Sequence, residues 1–276
     1  MRIFDTHAHY SDEKYDIDRE TLFRSMKSFG VDRVTLIGAS LEESKREKEI
    51  AIKYSGVSDV PRFYYTVGDH PDEILKCDPE SAEGVAHIDA LKRLTIDDGK
   101  VTAVAIGEIG LDYYGDFKTE VDFDNQKRWF KREIELAREL NLPIVVHSRE
   151  ACFDTLDYIK KYAKGLSGII HCFAYEKEIA LEYVRLGFYI GIGGVLTFKN
   201  ARKTKEVVAA IGLENIVAET DSPWLSPTPH RGERNNSSYI KYVIDEIASI
   251  KNMSIDIVAE KIYDNAKKVY NLTNEK

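Results

Sequence analysis

Two histidines near the start of the chain are spaced so that both can bind one metal ion. His7 and His9 follow the short apolar run Ile3-Phe4. If residues 2–9 form a strand, alternate side chains point to the same face, and the two imidazoles lie side by side. Two imidazole nitrogens in this arrangement suit a divalent metal. Asp5 lies one step further back on that face, and an ordinary surface strand is the alternative interpretation.

Further residues of metal-binding types occur where other apolar runs end. They are His70, Glu108, His147, His171 and Asp221. If these runs are parallel strands of a barrel, their C-terminal ends meet on one face, where barrel active sites lie. Without His70, the set contains four histidines, one glutamate and one aspartate, which are more ligands than one ion needs and favour two divalent ions sharing a carboxylate. Mixed nitrogen and oxygen ligands suit Zn²⁺ or Mn²⁺ and tolerate Mg²⁺, so the sequence leaves the metal open.

Each of these residues also has a purely structural alternative. Glu108 stands between two glycines and can be a turn residue, and Asp221 before Ser222-Pro223 can cap a turn. His147 and His171 can be core histidines with satisfied hydrogen bonds. All of these alternatives must hold at the same end of the barrel for the metal site to be absent, which favours the metal site.

Strand-like apolar runs alternate with segments of helical periodicity along the chain. The predicted strands are 2–9, 34–38, 63–68, 101–106, 143–146, 168–170, 188–192 and 216–218. The predicted helices are 16–29, 41–54, 79–94, 123–140, 152–162, 177–186, 201–211, 239–250 and 255–270. Eight strand–helix units predict an α/β fold, a TIM (β/α)8 barrel forming one domain over residues 1–276, with an open doubly wound sheet as the alternative.

Charge, cysteine spacing and the lack of long apolar runs limit the classes of protein to which the chain can belong. The net charge is −8, and Cys77, Cys152 and Cys172 are far apart and form no C-x-x-C motif, which favours a reducing compartment. Neither a signal peptide nor a membrane-length apolar run is recognisable, so we expect a soluble, cytoplasmic protein, and we predict a monomer. The net negative charge disfavours a broad surface that binds duplex DNA. It allows a few local basic residues to bind the end of a DNA strand.

Arginine and aromatic residues near the predicted barrel mouth are candidates for contacts with substrate. Arg231 and Arg234 flank Gly232 after the eighth strand, and their guanidinium groups can bind phosphate oxygens; an exposed charged loop is the alternative. Aromatic residues that can stack on bases, or simply pack at the rim, are Tyr113, Tyr114, Phe173, Tyr175, Phe198 and Trp224.

Seven separated motifs, in order along nearly the whole length, resemble the TatD-type deoxyribonucleases, metal-dependent hydrolases of amidohydrolase type. The motifs are Asp5-Thr6-His7-Ala8-His9, Gly68-Asp69-His70-Pro71, Ala105 to Tyr113, Leu142 to Arg149, His171-Cys172-Phe173, Gly193 to Ala201, and Glu219 to Leu225 with Arg231 to Asn235. Two positions depart from the family pattern. Asp69 replaces an apolar residue, and Ala174-Tyr175 replaces a common Ser-Gly pair.

The resemblance implies a TIM barrel with a one- or two-metal site. His7, His9 and Asp221 would hold one ion, His147 and His171 the other, with Glu108 shared. It also implies hydrolysis of DNA phosphodiester bonds, and we expect a 3′-5′ exonuclease acting on single-stranded ends.

For the mechanism we expect a metal-activated water, with Glu108 as the bridging carboxylate and Asp221 as the general base. His70, Arg231 and Arg234 are the predicted substrate-binding residues. One alternative is a small-molecule amidohydrolase or phosphotriesterase-like enzyme of the same fold, although such enzymes often carry lysine where Glu108 stands. The other alternative is a non-catalytic scaffold that binds a partner.

Overall fold

Eight parallel strands form one sheet in which each strand pairs with its neighbours in the sequence. The computed structural model describes residues 1–97, 99–115 and 118–274. Within these ranges the barrel strands lie in the sheet in the same order as in the sequence, from the first to the eighth. The barrel strands are β1 (Ile3–Ala8), β2 (Val31–Leu36), β3 (Arg62–Val67), β4 (Ala105–Asp112), β5 (Ile144–Arg149), β6 (Gly168–Ile170), β7 (Phe188–Ile192) and β8 (Ile216–Ala218).

Hydrogen bonds at the C-terminal ends of β1 and β8 close the sheet into a barrel. The backbone N–H of Asp221 donates to the carbonyl oxygen of His7 over 2.9 Å, and the N–H of His9 donates to the carbonyl of Ser222 over 2.8 Å. The hydroxyl of Thr6 donates to the carbonyl of Ala218 over 3.1 Å. The predicted TIM barrel is therefore confirmed, and the open doubly wound sheet is excluded.

Helices cover the outside of the barrel, and their bounds agree with the predicted ones within three residues. They are α1 (Arg19–Ser28), α2 (Leu41–Lys53), α3 (Ala82–Leu94), α4 (Glu120–Leu140), α5 (Cys152–Tyr162), α6 (Lys177–Arg185), α7 (Arg202–Ala210), α8 (Ile240–Lys251) and α9 (Ile255–Val269). In α4, Thr119 and Asp122 form a reciprocal capping box at the start, and Asn141 in the left-handed conformation ends the helix. No helix of the described residues is long and apolar enough to cross a membrane.

The predicted fourth strand was wrong at both ends. It was placed at 101–106, whereas β4 begins at Ala105 and continues through Glu108 to Asp112, and Lys100–Val101 pairs instead with Ile96–Asp97 in a short antiparallel ribbon. The sequence suggests a break because glycines flank Glu108. A Cβ atom on Gly110 would lie only 2.0 Å from the carbonyl oxygen of His147, so close approach of β5 requires glycine inside the strand.

Helix α9 closes the N-terminal end of the barrel. Tyr263, Ala266 and Val269 pack against the apolar side chains of Phe4 and Tyr64 and their neighbours in the other strands. The hydroxyl of Tyr270 donates to the carbonyl of Thr6 over 2.8 Å. This end is thereby filled by apolar packing, and the polar residues of the predicted site lie at the other end.

The buried carboxyl group of Glu47 predicts a pH-dependent loss of stability. Glu47 in α2 is 0% exposed; its Oε1 accepts the N–H of Ser11 over 2.9 Å, and its Oε2 has no hydrogen-bond partner among the described residues. Burial raises the pKa of Glu47 to about 8. Because the unfolded chain ionises this group near its ordinary pKa of 4.5, its contribution to stability is lost as the pH rises from about 4.5 to about 8.

We therefore expect the free energy of unfolding of Glu47→Gln to increase relative to that of the parent as the pH is raised. Between pH 5 and pH 9 this difference should grow by on the order of 3 kcal/mol in favour of the variant. Urea unfolding at pH 5, 7 and 9 measures this difference. Glu49→Gln, an exposed position of the same helix, is the control and should follow the parent at every pH. A constant difference between Glu47→Gln and the parent would contradict the prediction.

Candidate metal centre

The side chains of His7 and His9 converge at the C-terminal end of β1. Their Nε2 atoms are 3.1 Å apart, and each lies 3.7 Å from Oδ1 of Asp221, which follows β8. Ligand atoms of a tetrahedral zinc ion are separated by about 3.3 Å when Zn–N bonds are about 2.0 Å. Burial, and then the neighbouring His7, lower the pKa of His9 to about 3, so its imidazole is neutral and can donate a lone pair. These three residues fit one metal ion.

Glu108 in β4 connects this group to a second one. Its Oε2 lies 3.3 Å from Nε2 of His7, and its Oε1 lies 2.7 Å from Nδ1 of His147 and 3.3 Å from Nε2 of His171. The two oxygens of one carboxylate therefore face two separate sets of imidazole nitrogens. This arrangement is the one expected of a carboxylate shared by two ions.

The electrostatics of the buried site favour a bound cation. Burial opposes ionisation of Glu108, yet His171 and His7 outweigh burial and hold the pKa of its carboxyl group well below the ordinary value. Burial lowers the pKa of His171, but Glu108 and Glu219 outweigh it and raise that pKa to about 10. A pocket that holds a proton on an imidazole so strongly also attracts a divalent ion. The residues therefore fit a metal both in geometry and in charge.

A second layer of carboxylates, which the sequence reasoning missed, orients the histidines. Nε2 of His147 lies 3.1 Å from Oδ2 of Asp112, and Nδ1 of His171 lies 3.1 Å from Oε1 of Glu219. An N–H donated to a carboxylate on one side of the ring leaves the other nitrogen for the metal. The available signal was position, since Asp112 ends β4 and Glu219 stands two residues before Asp221.

Asp5 lies beneath the site and stabilises backbone rather than imidazole. Its carboxylate accepts hydrogen bonds from the N–H of His7 over 3.2 Å and from the hydroxyls of Thr220 and Ser237, each over 2.6 Å. Asp5 therefore joins β1 to the segment after β8. This placement agrees with a role in orienting His7.

The predicted substrate-binding residues lie in different surroundings. The ring of His70 is 4.3 Å from that of His147, beside the second ligand group. Arg231 is exposed, with its guanidinium 3.7 Å from the ring centre of Phe198. Arg234 instead makes two hydrogen bonds to the carboxylate of Asp18, of 2.9 and 2.6 Å, which join its loop to the chain before α1. Substrate binding by these residues stays a prediction.

The two departures from the family pattern have local partners. Oδ2 of Asp69 lies 2.6 Å from Nε2 of His87, and its N–H donates to Oε1 of Glu133 over 2.9 Å. The hydroxyl of Tyr175 lies 3.0 Å from the hydroxyl of Ser148. The carboxylate of Asp69 therefore faces His87 in α3, and its backbone N–H faces Glu133 in α4.

Comparison with known proteins places the chain in a family. Residues 4–271 match the family described as TatD related DNase. The chain belongs to this family. The uncharacterized metal-dependent hydrolase YabD of Bacillus subtilis (strain 168) is 36% identical over 271 residues, which cover 98% of this chain and 99% of that protein. The protein is accordingly a metal-dependent hydrolase of the TatD family.

Solved structures agree on the fold. The TatD homolog YJJV from Escherichia coli K12 has a TM-score of 0.84 at 24% identity, covering 98% of both chains. The phosphotriesterase homology protein from Escherichia coli, solved with phosphate in its active site, has a TM-score of 0.65 at 12% identity, covering 98% of both chains. At these identities the likeness shows the barrel.

The contact between His171 and Glu219 predicts an effect on metal affinity. Glu219→Gln removes the negative charge that strengthens His171 as a ligand, so we expect the affinity for Zn²⁺ or Mn²⁺ to fall about 10-fold or more. Isothermal titration calorimetry measures it. Glu214→Gln, an exposed residue of the same region, should leave the affinity unchanged. Equal affinities in the two variants would show that Glu219 does not support His171.

Proposed function

We propose that the protein hydrolyses phosphodiester bonds of single-stranded DNA, removing nucleotides from the 3′ end. The observation that carries this proposal is the position of Glu108, whose two carboxylate oxygens face His7 on one side and His147 and His171 on the other. Two bound divalent ions would lower the pKa of a water molecule and offset the negative charge of a phosphoryl group.

The residues divide into ligands and groups that act on the substrate. His7, His9 and Asp221 would hold one ion, His147 and His171 the other, and Glu108 would fix the spacing between them. Asp221, whose Oδ1 lies 3.7 Å from Nε2 of both His7 and His9, would also accept the proton of the attacking water as general base. His70, whose ring lies 4.3 Å from that of His147, would donate a hydrogen bond to a phosphoryl oxygen.

Aromatic side chains paired with cations support a nucleic-acid substrate. Trp224 is 45% exposed; its ring lies 5.2 Å from that of His9, and Nζ of Lys14 lies 5.3 Å from it. Tyr114, after β4, is 50% exposed and stacks against the guanidinium of Arg149 at 3.6 Å. Exposed rings beside cations bind bases and phosphates of a single strand. Phe173, by contrast, is only 4% exposed, so it packs in the rim.

A small-molecule hydrolase of the same fold is the second candidate function. The likeness to the phosphotriesterase homology protein favours it at the level of the fold. Against it stand the two cation–aromatic pairs, because a small neutral substrate has no need of them. A substrate panel of oligonucleotides, cyclic amides and aryl phosphotriesters, each with Mg²⁺, Mn²⁺ or Zn²⁺, separates the two functions. The monomeric state and the cytoplasmic location stay predictions.

The first test is degradation of end-labelled single-stranded DNA. A 3′ label should appear at once as a mononucleotide, whereas a 5′ label should pass through a ladder of shortening strands. Glu108→Gln should lower the rate at least about 1,000-fold, because it removes the shared charge from both ion sites. Glu49→Gln, an exposed position in α2, should keep the parental rate. Turnover of a small amide or triester without DNA cleavage would reject the nuclease proposal.

The second test concerns base stacking on Trp224. Trp224→Ala should raise KM for a single-stranded oligonucleotide about 10-fold, since stacking on an aromatic ring contributes about 1–3 kcal/mol per base. Degradation of an abasic oligonucleotide, which keeps the phosphodiester backbone but has no ring to stack, should change less than about 3-fold by the same reasoning. Trp224→Phe should restore most of the affinity, and Phe29→Ala, an exposed aromatic at the end of α1, should have no effect. Equal losses on both substrates would assign Trp224 a structural role.

A further inference from the structure

A cavity rich in basic residues lies at the end of the barrel opposite the metal centre. Its volume is about 850 Å³. The N-terminal ends of β1, β2 and β3, the segment 54–60 after α2, and helix α9 surround it. Its charged lining residues are Arg2, Lys27, Asp32, Arg33, Arg62 and Lys267. Because the metal ligands occupy the C-terminal strand ends, the cavity and the metal centre are separate sites.

The charge of this lining is opposite to that of the whole protein. Among the described lining residues, five are Arg or Lys and one, Asp32, is acidic, whereas the chain has a net charge of −8. The carboxylate of Asp32 is shared between two of these cations, because its Oδ1 lies 3.6 Å from Lys27 and its Oδ2 lies 3.6 Å from Arg33. It also accepts a hydrogen bond from the hydroxyl of Tyr263. Five basic side chains converging on one concavity create a local positive potential that attracts anions.

Arg33 gives the cavity a buried and fixed positive charge. The residue is 4% exposed, and arginine stays protonated at all physiological pH values. Its Nε donates to the hydroxyl of Tyr263 over 2.8 Å, and Nη1 donates to the hydroxyl of Tyr64. These tyrosines hold the guanidinium plane at the wall of the cavity. Its fixed positive charge adds to the positive potential of the cavity, to which the other four cations contribute.

We propose that this cavity binds a small organic phosphate, a phosphate monoester of about the size of a mononucleotide. The volume lies within the range of about 300–1,000 Å³ found for small-molecule pockets, which is larger than an inorganic anion needs. The aromatic side chains of Tyr54, Phe63 and Tyr263 in the lining provide contacts for the organic part. The cations meet in one pocket rather than along a stripe, which disfavours a polynucleotide backbone. The inference does not depend on the proposed nuclease function.

Calorimetric titration of dAMP into the full-length protein at low salt tests the proposal. The double variant Arg62→Ala/Lys267→Ala removes an exposed arginine and a half-buried lysine of the lining. Arg202→Ala/Lys131→Ala removes one arginine and one lysine from the surfaces of α7 and α4, with the same change in net charge. We expect the lining variant to bind dAMP about 10-fold more weakly and the control variant to bind within about 2-fold of the parent.

Two further arms locate the site and identify its ligand. Glu108→Gln, which disrupts the metal centre, should still bind dAMP in the cavity, and loss of binding there would place the nucleotide at the metal centre instead. Arg2→Ala, an exposed position, gives a second lining variant and should also weaken binding. Inorganic phosphate binding as tightly as dAMP, or a ten-nucleotide oligothymidylate binding more tightly, would contradict a small organic phosphate. Equal weakening in the lining and control variants would reject the site.

Discussion

The hydrogen bond from the N–H of Asp221 to the carbonyl oxygen of His7 joins the last strand to the first, and the metal centre depends on this closure. His7 and His9 come from one end of the chain and Asp221 from the other, so the ligand group exists only in the closed barrel. Asp5 strengthens the same junction through Thr220 and Ser237. The side chains that would bind the metal therefore belong to residues whose backbones complete the fold.

The metal centre is stabilised by the balance between buried carboxylates and imidazoles. Glu108 faces four histidines, and Asp112 and Glu219 face the outer sides of His147 and His171. Any one of these charges buried alone would cost several kcal/mol, and the opposite charges around it offset that cost. The negative charge of these carboxylates raises the pKa of His171, and it also favours the binding of a divalent cation.

The two ends of the barrel have opposite chemistry. Acidic groups and imidazoles gather at the C-terminal strand ends, where the loops after β4 and β8 also carry the exposed Tyr114 and Trp224. At the N-terminal end, apolar packing of α9 fills the centre, and the basic residues around Arg33 line a cavity beside it. One scaffold therefore separates a cation-binding end from an anion-attracting end by the length of its strands, about 20 Å for six residues.

The sequence alone determined the barrel, and it predicted the candidate metal ligands. Apolar residues recur with a period near 2 in strands and near 3.6 in helices, and these periods are local properties of the chain. They located the helix bounds within three residues and predicted that His7, His147 and Asp221 lie at strand ends. Tertiary structure decided the rest. It extended β4 through Glu108 because β5 approaches Gly110 closely, it paired Arg234 with Asp18, and it brought Glu219 to His171. The basic cavity draws its cations from several separate elements, so no local pattern of residues indicated it. Contacts between distant residues depend on how the elements pack, whereas the periodicity of each element is fixed by its own side chains.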